Sequence, residues 1–437
     1  MERSRWLYDK SLPRRGRIKM ATIRAFRAVR PKKGMEERIA ALPYDVYNRK
    51  EAAAIVKDNP DSFLAIDRAE TSFSDDVDTY ADEVYEKARE LYEEKKASGD
   101  FIMDEKPCFY LYELVMDGHK QTGIVGCASV DDYLSGVIKK HENTRADKEK
   151  DRIRHVGSLS AQTGPIFLAH RRDEELEGIK DKIRTEEKPV YDFVSDDGIT
   201  HRAWIIEDDA VNEAIASRFA AAEGIYIADG HHRCASAVRV SQKRREENPA
   251  YTGDEEFNFF LSVLFSEDEL RIFDYNRVVK DLAGLGSDEF FELISKSFDV
   301  SEYTGRTGKD KKAYRPDSKG CFGMYLDGKW YTLRIHEDKK SDDPVKGLDV
   351  SLLQDNLLGP VLGIKDPRTD ARIDFIGGIR GLSEIERRCS LDCRVGFSMY
   401  PTSMTELFSV ADAQLLMPPK STWFEPKLRS GIFIHEI

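Results

Sequence analysis

Gly224-Ile225-Tyr226-Ile227-Ala228-Asp229-Gly230-His231-His232-Arg233-Cys234-Ala235-Ser236-Ala237 reads as a short buried strand, a glycine turn and the opening of a helix. The turn is built for an anion. Gly230 can take a positive φ or let a ligand approach the backbone, and the unpaired amides of a helix start carry the positive end of its dipole. Arg233 adds a forked donor matched to phosphate oxygens, while His231 and His232 supply donors that titrate near neutrality. The plainer alternative has Asp229 capping the helix and Arg233 on its solvated face. Asp229, His231, His232 and Arg233 crowded around one glycine favour the phosphate site.

Working outward, two further stretches carry candidate chemistry. In Lys140–His155, Glu142 is a carboxylate suited to holding magnesium or accepting a hydroxyl proton, with the anion donors His141, Thr144 and Arg145 beside it. The same residues equally fit a charged helix start capped by Asn143 or Thr144. In Leu416–Gly431, three prolines stiffen a loop bearing Lys420, Ser421, Thr422, Lys427 and Arg429. Its Lys-Ser-Thr order lacks the glycine spacing of a P-loop, so it is either an anion-binding loop or a rigid surface loop anchored by Trp423 and Phe424.

Around these lie the expected elements. Alternation over Ile23–Val29 predicts a strand, and apolar residues at helical spacing predict a helix over 75–98. Asp117-Gly118, Asp197-Gly198 and Asp327-Gly328 each sit between strand-like runs and predict three hairpins. A fourth hairpin is expected from 257–265 with 270–276, helices over 287–297 and 350–362, a strand entering a glycine turn at 374–381, and a last strand at 432–435. The Lys-rich stretch 305–319 reads as a mobile connection.

A chain of 437 residues exceeds one ordinary core, so several domains are expected. They divide into an extension over 1–19, an α/β region over 20–130, a core over 131–255 and a C-terminal α+β region over 256–437. No apolar run reaches membrane-span length and no secretory pattern precedes the first strand, which predicts a cytoplasmic protein. Six scattered cysteines suit reduced thiols, and a net charge of −12 argues against a nucleic-acid partner.

Pro43-Tyr44-Asp45-Val46, His141-Glu142-Asn143-Thr144, Asp229-Gly230-His231-His232-Arg233 and Met417-Pro418-Pro419-Lys420-Ser421-Thr422 with Pro426-Lys427 together resemble a bacterial and archaeal family of unknown function, the DUF1015 type. The central turn also resembles that of the ParB and sulfiredoxin superfamily, to which free serine kinases belong. The resemblance implies an α+β fold with a ParB/sulfiredoxin-like nucleotide-binding core inside a larger mixed sheet-and-helix protein. It implies ATP or ADP as phosphoryl donor, Mg2+ as cofactor and a small hydroxylated amino acid, free L-serine, as acceptor. Gly230, His231, His232 and Arg233 would grip the nucleotide phosphates, and Glu142 would take the acidic, catalytic role. No helix-turn-helix of the partitioning ParB type is found, and Cys234 is placed to face helix packing rather than a nucleotide. Two alternatives stand beside the kinase: a nucleotide-binding regulator without turnover, and a metal-dependent hydrolase using His141, Glu142, His231 and His232 around a transition metal. Acceptor identity and oligomeric state stay open, and an oligomer is compatible with the sequence.

Overall fold

The computed structural model describes residues 21–144, 146–305 and 313–437, and the expected extension over 1–19 lies outside them, as does Arg145. A mixed sheet runs through the molecule. Its strands, in chain order, are β1 (Ile23–Arg24), β2 (Phe109–Met116), β3 (His119–Ser129), β4 (Ile138–Lys139), β5 (Ile166–His170), β6 (Tyr191–Val194), β7 (Thr200–Ile206), β8 (Ile225–Asp229) and β9 (Phe259–Ser266). They lie in the order β4-β8-β5-β9-β3-β2-β7-β6, with β1 added beside β3. Side chains alternate between its faces. Leu111, Ile124, Leu168, Ile227 and Phe260 join one core cluster, whereas Tyr112, Val125, Phe167, Ala228 and Leu261 join another on the opposite side. Covered on both faces, the sheet buries β9 along its whole length, and six of its eight residues are apolar.

The second cluster continues into a smaller antiparallel sheet of β10 (Tyr275–Val279), β11 (Phe298–Glu302), β12 (Cys321–Leu326), β13 (Lys329–Ile335), β14 (Ile373–Gly377) and β15 (Val395–Ser398). Its order is β11-β13-β12-β15-β10-β14. The architecture is thus α+β, as the sequence implies.

The three aspartate-glycine hairpins form as β2–β3, β6–β7 and β12–β13. Asp117, Gly118, Asp327 and Gly328 all take positive φ, the backbone a two-residue hairpin turn requires. The fourth hairpin does not form. β9 has both edges occupied, by β5 and β3, so the chain leaves it after Ser266 and starts the second sheet at β10. Other boundaries move for local reasons. Helix α1 (Asp82–Ala97) starts seven residues later than expected, because turns closed on Ser74 and Asp78 occupy the preceding segment. The run over 23–29 splits into β1, a bridge at Phe26 and a separate short strand Val29–Pro31. At the C-terminus, strand pairing is confined to His435–Glu436, with Ile434 bridging Val29.

The helix expected over 350–362 is regular only at Asp349–Leu353 and widens into a π-turn at Gln354–Leu358. At its start the Asp349 carboxylate accepts the Gly320 amide, and burial pushes its carboxyl up to about 7. Because the unfolded value is near 3.9, the fold holds a proton that the unfolded chain releases. The stabilisation is complete below that value and lost as pH rises towards 7. Asp349→Asn is therefore expected to match the parent near pH 3 and exceed its unfolding free energy by about 2–4 kcal/mol near pH 8, measured by urea titration.

Candidate functional site

β4 and β8 are parallel neighbours, so their carboxyl ends deliver two sequence-distant segments to one place. Beyond β4 come His141 and Glu142; beyond β8 come Asp229, Gly230 and His231. A register shift between Ile227 and Asp229 re-aims the end of β8. Gly230 then takes φ 90° and ψ 28° as the N-cap of helix α2 (His231–Glu247), and no side chain caps the amides that follow. The plainer alternative for Asp229 does not hold: it does not cap the helix but accepts the Gly230 amide at 2.7 Å and pairs with Lys427 at 2.8 Å. The burial of its carboxyl is outweighed by the charges of Lys427 and Arg233, which hold it well below the usual carboxylate range.

His141 and His231 meet edge to face, with ring centroids 4.5 Å apart. Both are buried, at 1% and 7% exposure. Burial holds His141 down to about 4 and His231 well below its ordinary value, so both rings are neutral near pH 7. Among the described residues, Nδ1 of His141 and Nε2 of His231 have no hydrogen-bond partner. One ligand atom from each ring and one Glu142 oxygen lie within 4.8 Å of one another. Burial raises the Glu142 carboxyl, against the lowering pull of Lys420.

The C-terminal loop closes this side. Met417 donates its amide to the His141 carbonyl at 2.8 Å, Thr422 Oγ1 lies 3.5 Å from His141 Nε2, and Arg277 donates to the Lys420 carbonyl at 3.0 Å. Lys420 and Lys427 thus reach the turn, and three separate stretches converge.

Not every expected donor takes part. Ser421 is buried and gives its hydroxyl to the Pro418 carbonyl, so it shapes the loop. Thr144 turns its hydroxyl to Glu149, and Arg429 is drawn away to Asp197 and Ser195 beside the β6–β7 hairpin. His232 is half-buried at the second helical position. Arg233 folds back across Gly230 and donates to the Pro165 carbonyl at 2.6 Å.

Arg233 also borders a cavity of about 30 Å³ that the motifs alone do not reveal, lined by Tyr44, Asp67, Arg152, His155 and Thr163 among others. Asp67 accepts the Thr163 hydroxyl and lies 3.9 Å from Arg152, whose guanidinium stacks 3.9 Å from the centre of the Tyr44 ring. Arg152 and His155 look like solvated charges in sequence, yet they sit one helical turn apart on the buried side of helix Ala146–Leu159. Spacing to Val156 and Leu159 is the one local signal of that burial.

The family model described as "Protein of unknown function (DUF1015)" matches residues 23–351, most of the chain. The protein belongs to this family. The DUF1015 match ends before the Met417–Lys427 loop, which structure alone joins to the site. Among solved structures, a free serine kinase mutant in complex with AMP is 13% identical, with a TM-score of 0.34 over 70% of this chain and 90% of that one. A conserved hypothetical protein from Pyrococcus furiosus is 12% identical, with a TM-score of 0.32 over 70% and 94%. SbnI from Staphylococcus aureus, truncated at its C-terminus, is 10% identical, with a TM-score of 0.35 over 69% and 82%. No curated protein matches the chain. No described helix is long and apolar enough to cross a membrane.

Proposed function

We propose that this DUF1015 protein is a small-molecule phosphotransferase, with a ParB/sulfiredoxin-like core that binds ATP or ADP and passes a phosphoryl group to the hydroxyl of free L-serine. What supports the proposal is the convergence near Gly230: the amides after it carry no side-chain cap, Lys427 pairs with Asp229 beside it, and the half-buried Glu142 feels the charge of Lys420. Phosphoryl transfer asks a protein mainly for alignment and charge neutralisation. The amides after Gly230, with Arg233 and Lys420, would hold the donor phosphates. Glu142 would orient the serine hydroxyl and take its proton, a task favoured by a carboxyl raised towards neutrality.

Magnesium needs oxygen ligands. Glu142 and the phosphates supply them, whereas Asp229 is committed to Lys427. Magnesium would therefore arrive with the nucleotide and add electrostatic neutralisation of its phosphates when bound.

The test is the purified protein with ATP or ADP, magnesium and L-serine, read by phosphorus NMR. O-phosphoserine is the expected product; neither product nor nucleotide binding would overturn the reading. Gly230→Ala gives a second check. A Cβ there would stand 3.2 Å from Nε and Nη2 of Arg233, on a backbone with φ 90° that L side chains rarely adopt. Nucleotide affinity measured by calorimetry is expected to fall at least about tenfold, with about 1–2 kcal/mol of stability lost.

A further inference from the structure

The chemistry at the mouth of β4 and β8 is not that of a magnesium site alone. Two imidazoles and one carboxylate offer ligand atoms within 4.8 Å of one another, and both rings carry a buried nitrogen with no partner among the described residues. An orphaned buried imidazole nitrogen loses hydrogen bonding that water would have given it. Two imidazoles and a carboxylate brought this close at the ends of parallel strands offer one ion a common set of donors.

Magnesium is a poor one, because it demands oxygen ligands in octahedral geometry. Zinc, cobalt, iron and nickel accept imidazole readily. We propose that His141, Glu142 and His231 form a binding site for a divalent transition-metal ion, distinct in ligand type from any magnesium that accompanies a nucleotide.

Ligand atoms around tetrahedral zinc stand about 3.4 Å apart, so the set must close by no more than about 1.5 Å, a movement within reach of ring and carboxylate rotation. Three protein ligands leave a coordination position for water or an oxygen of a bound molecule. Asp229, one residue from the turn, stays with Lys427 and leaves the ligand set to these three groups.

This inference stands on the donor set and needs neither nucleotide nor turnover. The full-length protein, stripped with chelator and dialysed, is titrated separately with Co(II), Zn(II) and Mg(II). One equivalent of cobalt, visible d–d absorption of a low-symmetry site and displacement by zinc are expected, with magnesium binding at least about 100-fold more weakly. His141→Gln and His231→Gln should each weaken cobalt binding at least about 100-fold, while His336→Gln, far along the chain just past the end of β13, should not.

Should the glutamine variants fail to fold, His231→Cys replaces a nitrogen ligand by a thiolate. A sulfur-to-cobalt charge-transfer band then supports the assignment, and an unchanged spectrum overturns it. Cobalt binding equal to that of magnesium, or insensitive to both histidines, also overturns it. Nucleotide affinity, measured with magnesium on protein stripped of transition metal, reports on the phosphotransferase reading separately.

Discussion

Glu142→Gln is expected to lower phosphoryl transfer to serine by about 10²–10⁴-fold, the usual worth of a positioned general base, while nucleotide affinity changes less than about threefold. The substitution keeps shape and one acceptor oxygen but removes the ability to take a proton. Asp229, already tied to Lys427 and held strongly ionised, is a poor substitute base. Donor phosphates would rest on backbone amides and on Arg233 and Lys420, none of which the substitution removes. Quenched-reaction kinetics with saturating nucleotide measure the first quantity, and calorimetry with ADP in the absence of magnesium, which Glu142 would also contact, measures the second. Turnover within tenfold of the parent would remove Glu142 from the chemistry. Equal loss of binding and turnover would make it a ligand-positioning group instead.

The strand-turn-helix at Ile225–Glu247 was legible because each part carries its own local signal: an apolar run, a glycine whose observed φ is positive, and a helix opening directly after it. Hairpins announced by Asp117-Gly118 and Asp327-Gly328 were legible for the same reason, since turn chemistry is local. Strand partners were not. Nothing in Phe259–Ser266 says that both its edges will be filled by strands more than 90 residues away in sequence, which is why an adjacent apolar run looked like its hairpin mate.

At the site, residue types pointed to segments that the fold brings together but not to each side chain's partner. Lys420, Ser421 and Thr422 look equivalent as donors in sequence. In the fold, Ser421 is spent on the Pro418 carbonyl, while Thr422 approaches His141 and Lys420 acts on Glu142. Arg152 and His155 were invisible because charged residues on a charge-rich helix are ordinarily solvated, and Asp67 because a lone aspartate ending the short helix Leu64–Asp67 signals nothing by itself. Only tertiary packing turns them into a buried network.

Lys180→Met is expected to cost about 3–5 kcal/mol of unfolding free energy, the largest stability effect among these substitutions. Lys180 lies on helix Glu174–Glu186 at 1% exposure, and its ammonium pairs with Glu177 at 2.7 Å and Glu269 at 2.9 Å and donates to the Thr122 carbonyl. It thereby pins that helix to β3 and to the turn after β9. Burial already raises the Glu269 carboxyl with the lysine present. Without the cation, two carboxylates with side-chain exposures of 11% and 16% would face each other unpaired. The folded-state pKa of Glu269 would rise further, so the variant's deficit should be smallest below the unfolded glutamate value and grow as pH climbs through the raised folded value. Denaturant titrations near pH 4 and pH 8 test this sign. Adding Glu177→Gln and Glu269→Gln should recover much of the loss, because the penalty belongs to the stranded charges rather than to the missing lysine. A deficit that is independent of pH and untouched by those two changes would instead assign Lys180 a packing role through its apolar stem.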